Sequence, residues 1–520
     1  MSKENTSPAA HAAIPRYSVY ALVVLSLVNF LNYIDRQVLP AVAPSLLADP
    51  ELKLTDADIG FMEMSLLLSF TVLAPIFGRL GDRHPRAKLM AVAAVLWSIA
   101  TGLTGVVDRL PFAPPAFSLH LPVVNATLAL SGIALLFCAV RAFVGVGESA
   151  YSTITPSLIA DYFPPHRRAT ALGAFQAAIP MGFALGFVIG GVLAHFFGWR
   201  AAFMIVGVPG LMTAAVVWRL REPVRGVTEV PHGATALEET AAAEVEAARG
   251  MAQAGDSLAE ASSGESAAGG GKSEEAGGKS AAGVDRTAVG GGESVLRTVL
   301  RILRSRDWLI STAGYTALTA ALGAFATWAV VVLVRDKGMT QTGAGVTLGV
   351  VTLLAGAAGT FGGGWLADRV AARRHNAYFL VCAVSTLLGV VPTLLVLVAD
   401  DPRVYLPCTF FAVALLFVSN APFHAILLGS VPVGVRAMAV ALNIVVIHAC
   451  GDAISRAVVG VLSDTLKEGG LAPLSALGAA LGIDRAQHLT TALLVAPACL
   501  VVSTALFFLG AKLQRRAAPE

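Results

Sequence analysis

The chain has 520 residues, 56% of them hydrophobic and only 14% charged, with a mean hydropathy of +0.71 and a formal net charge of +3. A water-soluble protein carries about 25% charged residues and could not cover so apolar a core, so a soluble globular domain is excluded. The small net charge and the lack of a Lys/Arg run set nucleic acid aside as a partner.

Taken in chain order, residues 1–17 are polar and read as a cytoplasmic N-terminus. The apolar run after them is too long for a signal-peptide core and reads as a first membrane span. A membrane helix needs about 20 mostly apolar residues. By that measure spans are expected at 18–46, 57–79, 89–107, 125–160, 168–196, 201–220, 308–334, 343–367, 376–399, 403–430, 436–463 and 487–512. The expectation is therefore an all-α membrane protein with twelve transmembrane helices in two six-helix bundles, over 18–222 and 294–513, and a cytoplasmic tail at 514–520. The five cysteines, Cys138, Cys382, Cys408, Cys450 and Cys499, lie in or beside apolar runs without Cys-x-x-Cys spacing. They read as buried apolar fillers, not as disulfides or zinc ligands.

Residues 223–293 are rich in Ala, Glu, Gly and Ser and nearly free of large apolar side chains. Such a segment cannot offset its ordering entropy by burial, so a flexible cytoplasmic linker is expected, spanning about 45 Å as a coil. Two look-alikes of a phosphate loop end in Gly271-Lys272-Ser273 and Gly278-Lys279-Ser280, but Ser266 and Ser273 stand where the first glycine is needed. Neither a nucleotide nor any other cofactor or metal is expected.

Basic residues set the orientation. With the N-terminus inside, 22 Lys and Arg fall in or beside cytoplasmic segments and eight fall outside, so both termini are expected in the cytoplasm of a cell or inner membrane. The two halves share one loop. After the second span comes Gly78-Arg79-Leu80-Gly81-Asp82-Arg83, then Arg86 and Lys88; after the eighth comes Gly364-Trp365-Leu366-Ala367-Asp368-Arg369, then Arg373 and Arg374. Glycine permits close helix ends, the acid can meet the positive end of a neighbouring helix, and arginines hold the loop at the surface. The pattern resembles the signature loop of the major facilitator superfamily, which implies a conformational latch at Gly78, Asp82, Arg83, Arg86, Gly364, Asp368 and Arg369.

An unpaired ionisable group inside a span costs at least about 2.5–3.5 kcal/mol, so each one is a functional candidate. Span one carries Asn29, Asn32, Tyr33, Asp35 and Arg36, with Asn29, Asn32 and Arg36 on one helical stripe. Span four carries Arg141, Gly145 and Glu148 on another, in a spacing that resembles a superfamily motif linked to proton transfer. Two acids and two arginines can pair fully. Either they form a static network pinning spans one and four, or they work. In the working case Arg36 is the anion candidate, Glu148 and Asp35 are the proton candidates, and Arg141 serves either role.

The C-terminal half is less charged. Span eleven holds His448, Asp452 and Ser455 at i, i+4, i+7 with Arg456 beside them, and an Asp452–Arg456 pair is the static alternative. Span ten holds Asn420 and His424. Gln176 and Thr316 are expected to line a cavity, and Glu63 to lie near the outer mouth.

At these residues the chain resembles the Spinster family of lipid transporters. The resemblance rests on Asn32-Tyr33-Ile34-Asp35-Arg36, on Arg141 through Glu148, on Gly60-Phe61, on Ser157 through Pro164, and on Gly451-Asp452-Ala453-Ile454-Ser455 with Gly460 and Ser463-Asp464. Two departures stand out: Arg456 replaces the proline usual after the span-eleven serine, and the linker is longer than the family's. The resemblance implies a substrate-linked role for protons and a monomeric carrier of amphiphilic anions such as sphingosine-1-phosphate or lysophospholipids. The alternatives are a permease or exporter of small organic anions or drug-like compounds, and a non-transporting sensor with the linker as its output.

Overall fold

A computed structural model describes residues 15–112, 114–121, 126–223, 295–432 and 435–517. The expected linker therefore lies outside the described residues except for residue 223, as do residues 1–14 of the expected N-terminus and 518–520 of the tail.

Helices α1 (Arg16–Leu47), α2 (Asp56–Arg83), α3 (Arg86–Thr104), α4 (Gly132–Tyr162) and α5 (Pro165–Trp218) build the first bundle. Helix α6 (Val295–Leu303) leads into α7 (Arg306–Arg335), α8 (Gln341–Ala371), α9 (Ala377–Val398), α10 (Pro402–Val418) and α11 (Asn420–Gly429). Then come α12 (Arg436–Val446), a π-helical stretch at Ile447–Ala453, α13 (Ile454–Lys467), a short α14 (Ala472–Ala480), α15 (His488–Ala492) and α16 (Val495–Ala517). Ser, Thr and Asp start the spans: Thr55 and Asp58 form a capping box on α2, and Ser131, Ser305, Thr340 and Asp401 cap α4, α7, α8 and α10. Each such cap is worth about 1 kcal/mol.

Among the described residues, eleven helices are long and apolar enough to cross a membrane. Twelve crossings were expected, and α5 resolves the difference. Its 54 residues are broken at Gly198, whose φ of 80° and ψ of 163° reverse the chain between the fifth and sixth spans. Three expectations are corrected. Span four does not begin at 125, because an antiparallel hairpin of β1 (Phe117–Leu121) and β2 (Ala126–Leu130) precedes it. The strand merged into the expected span is β2, whose Ala126-Thr127-Leu128-Ala129-Leu130 is apolar enough that mean hydropathy alone does not separate it from a helix. The cysteines are all free, but only Cys382 is buried and Cys450 is exposed, so the buried-filler reading fails for Cys450. Span eleven is not a uniform α-helix. Its π turn inserts a residue and rotates everything after it relative to a simple i, i+4, i+7 stripe.

Small residues let the helices close. A Cβ on Gly182, Gly186 or Gly190 of α5 would stand 2.6 Å from the Cβ of Tyr33, Gln37 or Ala41 on α1. That four-residue stripe of glycines is how a lipid-embedded interface gains van der Waals contact without a hydrophobic driving force. One face of the molecule, called distal below, carries the end of α1 and the start of α2; the terminal face carries the start of α1 and the end of α16. Cross-bundle contacts gather in the distal half. Ser45 Oγ donates to Gln341 Oε1 at 2.6 Å, Gln341 Nε2 to the Ala41 carbonyl at 2.8 Å, and Thr342 Oγ1 to the Gly191 carbonyl at 3.4 Å. Arg335 grips Asp56 with two bonds of 3.1 Å, and Asp464 accepts from the Ala57 amide at 2.8 Å, capping α2 from the other bundle.

Candidate functional site

Helices α1, α2 and α4 converge with the π segment where the bundles meet. On α1, Arg36 donates from Nε to Glu148 Oε2 of α4 at 2.6 Å. Its guanidinium lies over two rings, 5.0 Å from the Tyr33 centroid and 4.6 Å from that of Phe70 on α2. Arg36 is thus held by one carboxylate and two aromatic faces while its side chain keeps some exposure, and Glu148 has none.

Asp35 is buried and accepts from Thr101 Oγ1 of α3. Its other carboxylate oxygen, Glu148 Oε1, the Asn32 amide nitrogen, and Nε and Nη1 of Arg141 are buried without a hydrogen-bond partner among the described residues. Such atoms are costly to bury and mark a network with unused capacity. Asn29 donates to the Phe175 carbonyl of α5 at 3.1 Å.

The full pairing of two acids and two arginines that the sequence allows does not form. Only Arg36 and Glu148 pair directly; Arg141 Nη2 instead reaches Glu63 Oε1 of α2 at 3.4 Å. The other Glu63 oxygen takes Arg456 Nη1 of α13 at 2.6 Å. Glu63 is buried between the bundles. Arg456 meets residue 452 only through the backbone carbonyl, at 3.2 Å, so the Asp452–Arg456 ion pair is absent. The Asp452 carboxylate lies 3.2 Å from His448 Nδ1, and the His448 ring meets Phe70 edge-on at 6.2 Å. Phe70 therefore touches both Arg36 and His448, joining the charged groups of the two halves.

In the second bundle Tyr315 stacks on Phe423 at 3.8 Å and donates its hydroxyl to Asn420 Oδ1 at 2.6 Å. His424 is exposed, with its ring 5.5 Å from Phe423. Thr316 bonds back to the Thr312 carbonyl at 2.7 Å, and Gln176 is exposed on α5; no hydrogen bond described here brings either into the cluster.

The latch glycines are less demanding than the pattern suggests. A Cβ on Gly78 or Gly364 would make ordinary contact with Thr153 or Ala421, at 3.6 and 3.5 Å. Their neighbours Gly81 and Gly363 are the tight ones, against Ile154 at 2.8 Å and Val418 at 2.7 Å, and those approaches lie within a bundle. Asp82 and Arg83 close α2, Asp368 lies in the last turn of α8, and Arg369 stands 5.4 Å over the Trp365 ring. Arg86 binds Glu222 at 2.7 Å and Asp161 at 2.6 Å, tying α3 and α4 to the end of the first bundle.

Sequence reasoning missed the bridging role of Glu63, although an acid seven residues into an apolar span carried the same signal as Glu148. It also missed Phe70, Thr101 and Tyr315, which are ordinary residues of apolar spans and give no signal.

The sequence profile of the Major Facilitator Superfamily matches residues 25–455. Protein spinster of Drosophila melanogaster is 27% identical over 470 residues, which are 88% of this chain and 64% of that protein. The sphingosine-1-phosphate transporter SPNS2 of Danio rerio is 26% identical over 517 residues, 96% of this chain and 86% of that one. Among solved structures, a bacterial homolog to the human lysosomal transporter Spinster, in an inward-facing and unoccupied conformation, superposes with a TM-score of 0.70 at 19% identity, covering 97% of this chain and 99% of the other. A D-xylose-proton symporter superposes at 0.62 with 16% identity over 94% of this chain and 97% of its own.

Proposed function

Because the chain belongs to the major facilitator superfamily, as a multi-pass transporter with Spinster proteins among its relatives and not an enzyme, we propose that it carries amphiphilic anions of the lysophospholipid or sphingosine-1-phosphate kind. Transport proceeds by alternating access and is linked to protons. The observation that carries this reading is Arg36, a partly exposed cation at the meeting of the two bundles, held by Glu148 and two aromatic rings. A phosphate or carboxylate arriving at Arg36 competes with Glu148. A buried carboxylate that loses its cation takes up a proton, so occupancy and protonation become linked. Asp35, beside it and tied to Thr101, is the second proton site.

The Lys/Arg bias supports a cytoplasmic terminal face. On that orientation the distal contacts would close the outer side, which supports reading this arrangement as inward-facing. Both halves of the site come from one chain, which supports the monomer as the working unit. Gly78, Asp82, Arg83, Gly364, Asp368 and Arg369 would latch the inner side in the opposite state.

Proteoliposome uptake of lysolipids and of small organic acids, each at two pH gradients, tests the reading. Uptake of lysolipids that rises with a proton gradient supports it. Uptake of organic acids alone supports the second reading, a permease for small anions, which the polar Tyr315–Asn420 and His448–Asp452 pairs of the second bundle favour.

A further inference from the structure

The ion pair between Glu63 and Arg456 joins residues 393 positions apart, on opposite bundles. Glu63 is 3% exposed, Arg456 6% and Arg141 0%, so all three charges lie out of water. Arg456 is fixed from several sides: Nη1 also donates to Thr327 at 2.9 Å, Nε to the Asp452 carbonyl, and its own carbonyl accepts from Trp328 Nε1 at 3.1 Å. One turn towards the distal face, α2 and α13 touch through their backbones, since a Cβ on Gly60 would stand 2.8 Å from the Cα of Ala457. One carboxylate is thus shared by two guanidiniums, closely with Arg456 and loosely with Arg141.

We propose that Glu63 is a two-position charge clamp. It holds Arg456 while the distal side is closed and passes wholly to Arg141 when that side opens. Glu63 and Arg141 both belong to the first bundle and move together, whereas Arg456 moves with the second. Any rocking that parts α2 from α13 breaks the 2.6 Å bond and leaves the 3.4 Å one free to shorten. Arg141 has the capacity to receive the carboxylate, because its Nε and Nη1 are unpartnered among the described residues. Arg456 in turn lies one turn from the Asp452 carboxylate, so the exchange strands neither charge. A second layer nearer the surface, Arg335 on Asp56, has its arginine side chain 41% exposed and is screened by water and salt. The buried clamp therefore sets the balance between the two states. It rests on the alternating-access reading above only for its consequence in transport; the conformational effect is read without substrate.

The test uses the full chain in membranes with Cys450→Ser, and with Ser45→Cys and Gln341→Cys, whose side chains meet on the distal side. The rate of their cross-linking reports distal closure. Glu63→Gln and Arg456→Gln should each slow it on the order of tenfold, as expected for stranding a buried charge. Arg335→Gln should slow it less than threefold, and Arg456→Lys should stay within about twofold of the parent. The double variant Glu63→Gln/Arg456→Gln should be no slower than the slower single. Unchanged single variants, a double equal to the product of the singles, or Arg456→Lys as slow as Arg456→Gln would each overturn the clamp. If the singles fail to reach the membrane, a double that inserts supports the coupling, and a double that fails with them overturns it. A parent that cross-links in this order yet moves no lysolipid would sink the substrate reading and leave the clamp standing.

Discussion

The two bundles share a fold but not a chemistry. The first buries Asp35, Glu63, Arg141 and Glu148 with almost no exposure and adds Arg36 at its inner edge. The second offers Arg456, the His448–Asp452 pair and the Tyr315–Asn420 bond, set among stacked aromatics. Buried charge is expensive, and a hydrophobic seam would hold helices as well. On the reading proposed above, binding and protonation would change in the half where buried charge is concentrated, while the other half would shape the substrate and close the path. Phe70 is the hinge of that division, touching Arg36 on one side and His448 on the other.

The sharpest way to break the comparison is Arg36→Ala. It removes the anion partner and strands Glu148, so uptake of anionic lysolipids should fall at least about 100-fold, consistent with the 2–5 kcal/mol typical of truncating a buried charge pair. Arg36→Lys keeps the charge but loses the planar contact with two rings and should recover only part of it. Unchanged uptake by Arg36→Ala in proteoliposomes would move the anion site elsewhere. Glu148→Gln comes next. With no proton to take up, the variant should transport equally at equal and unequal pH across the membrane, losing the gradient response while retaining downhill exchange. A persisting gradient effect would pass the role to Asp35.

In the second bundle smaller effects are expected. Asp452→Asn leaves His448 without its acid and should raise the KM for substrates bearing an ammonium group by about tenfold at most, roughly 1.4 kcal/mol. Substrates without the cation should be unaffected. An equal loss for both classes would show a packing defect instead. Tyr315→Phe removes a single hydroxyl bond to Asn420, worth about 1 kcal/mol, and should change KM less than about fivefold.

The fold was legible from hydropathy because lipid demands long apolar helices whose backbone bonds are satisfied internally. The same measure merged β2 with α4, since four of the five residues from Ala126 to Leu130 are apolar whether helical or extended. At the site, charges in apolar runs announced Asp35, Arg36, Arg141 and Glu148. Their partners did not follow, because pairing depends on how helices cross and not on composition. Glu63 joins Arg141 to Arg456 because α2 meets α13, and Arg456, just past the π turn at Ile447–Ala453, pairs with Glu63 rather than with the Asp452 carboxylate. Thr101 and Phe70 carried no signal, since such residues are frequent in any span.

The smallest effect should come from the segment between the bundles. Deleting residues 230–290 removes no residue of a span and leaves both Glu222 and α6 in place. Expression and lysolipid uptake should stay within about twofold of the parent, because the entropy of closing a connection changes only slowly with its number of residues. The boundary matters more than the length. Glu222 accepts from Arg86 Nε at 2.7 Å and from the Ala87 amide at 3.1 Å, satisfying the first turn of α3 with a carboxylate at its positive end. A deletion that starts eight residues earlier and takes Glu222 with it should cost stability, seen as a lower melting temperature in detergent and less protein in the membrane. If the shorter deletion already does so, the segment packs against the bundles and the division into two halves and a passive connection is wrong.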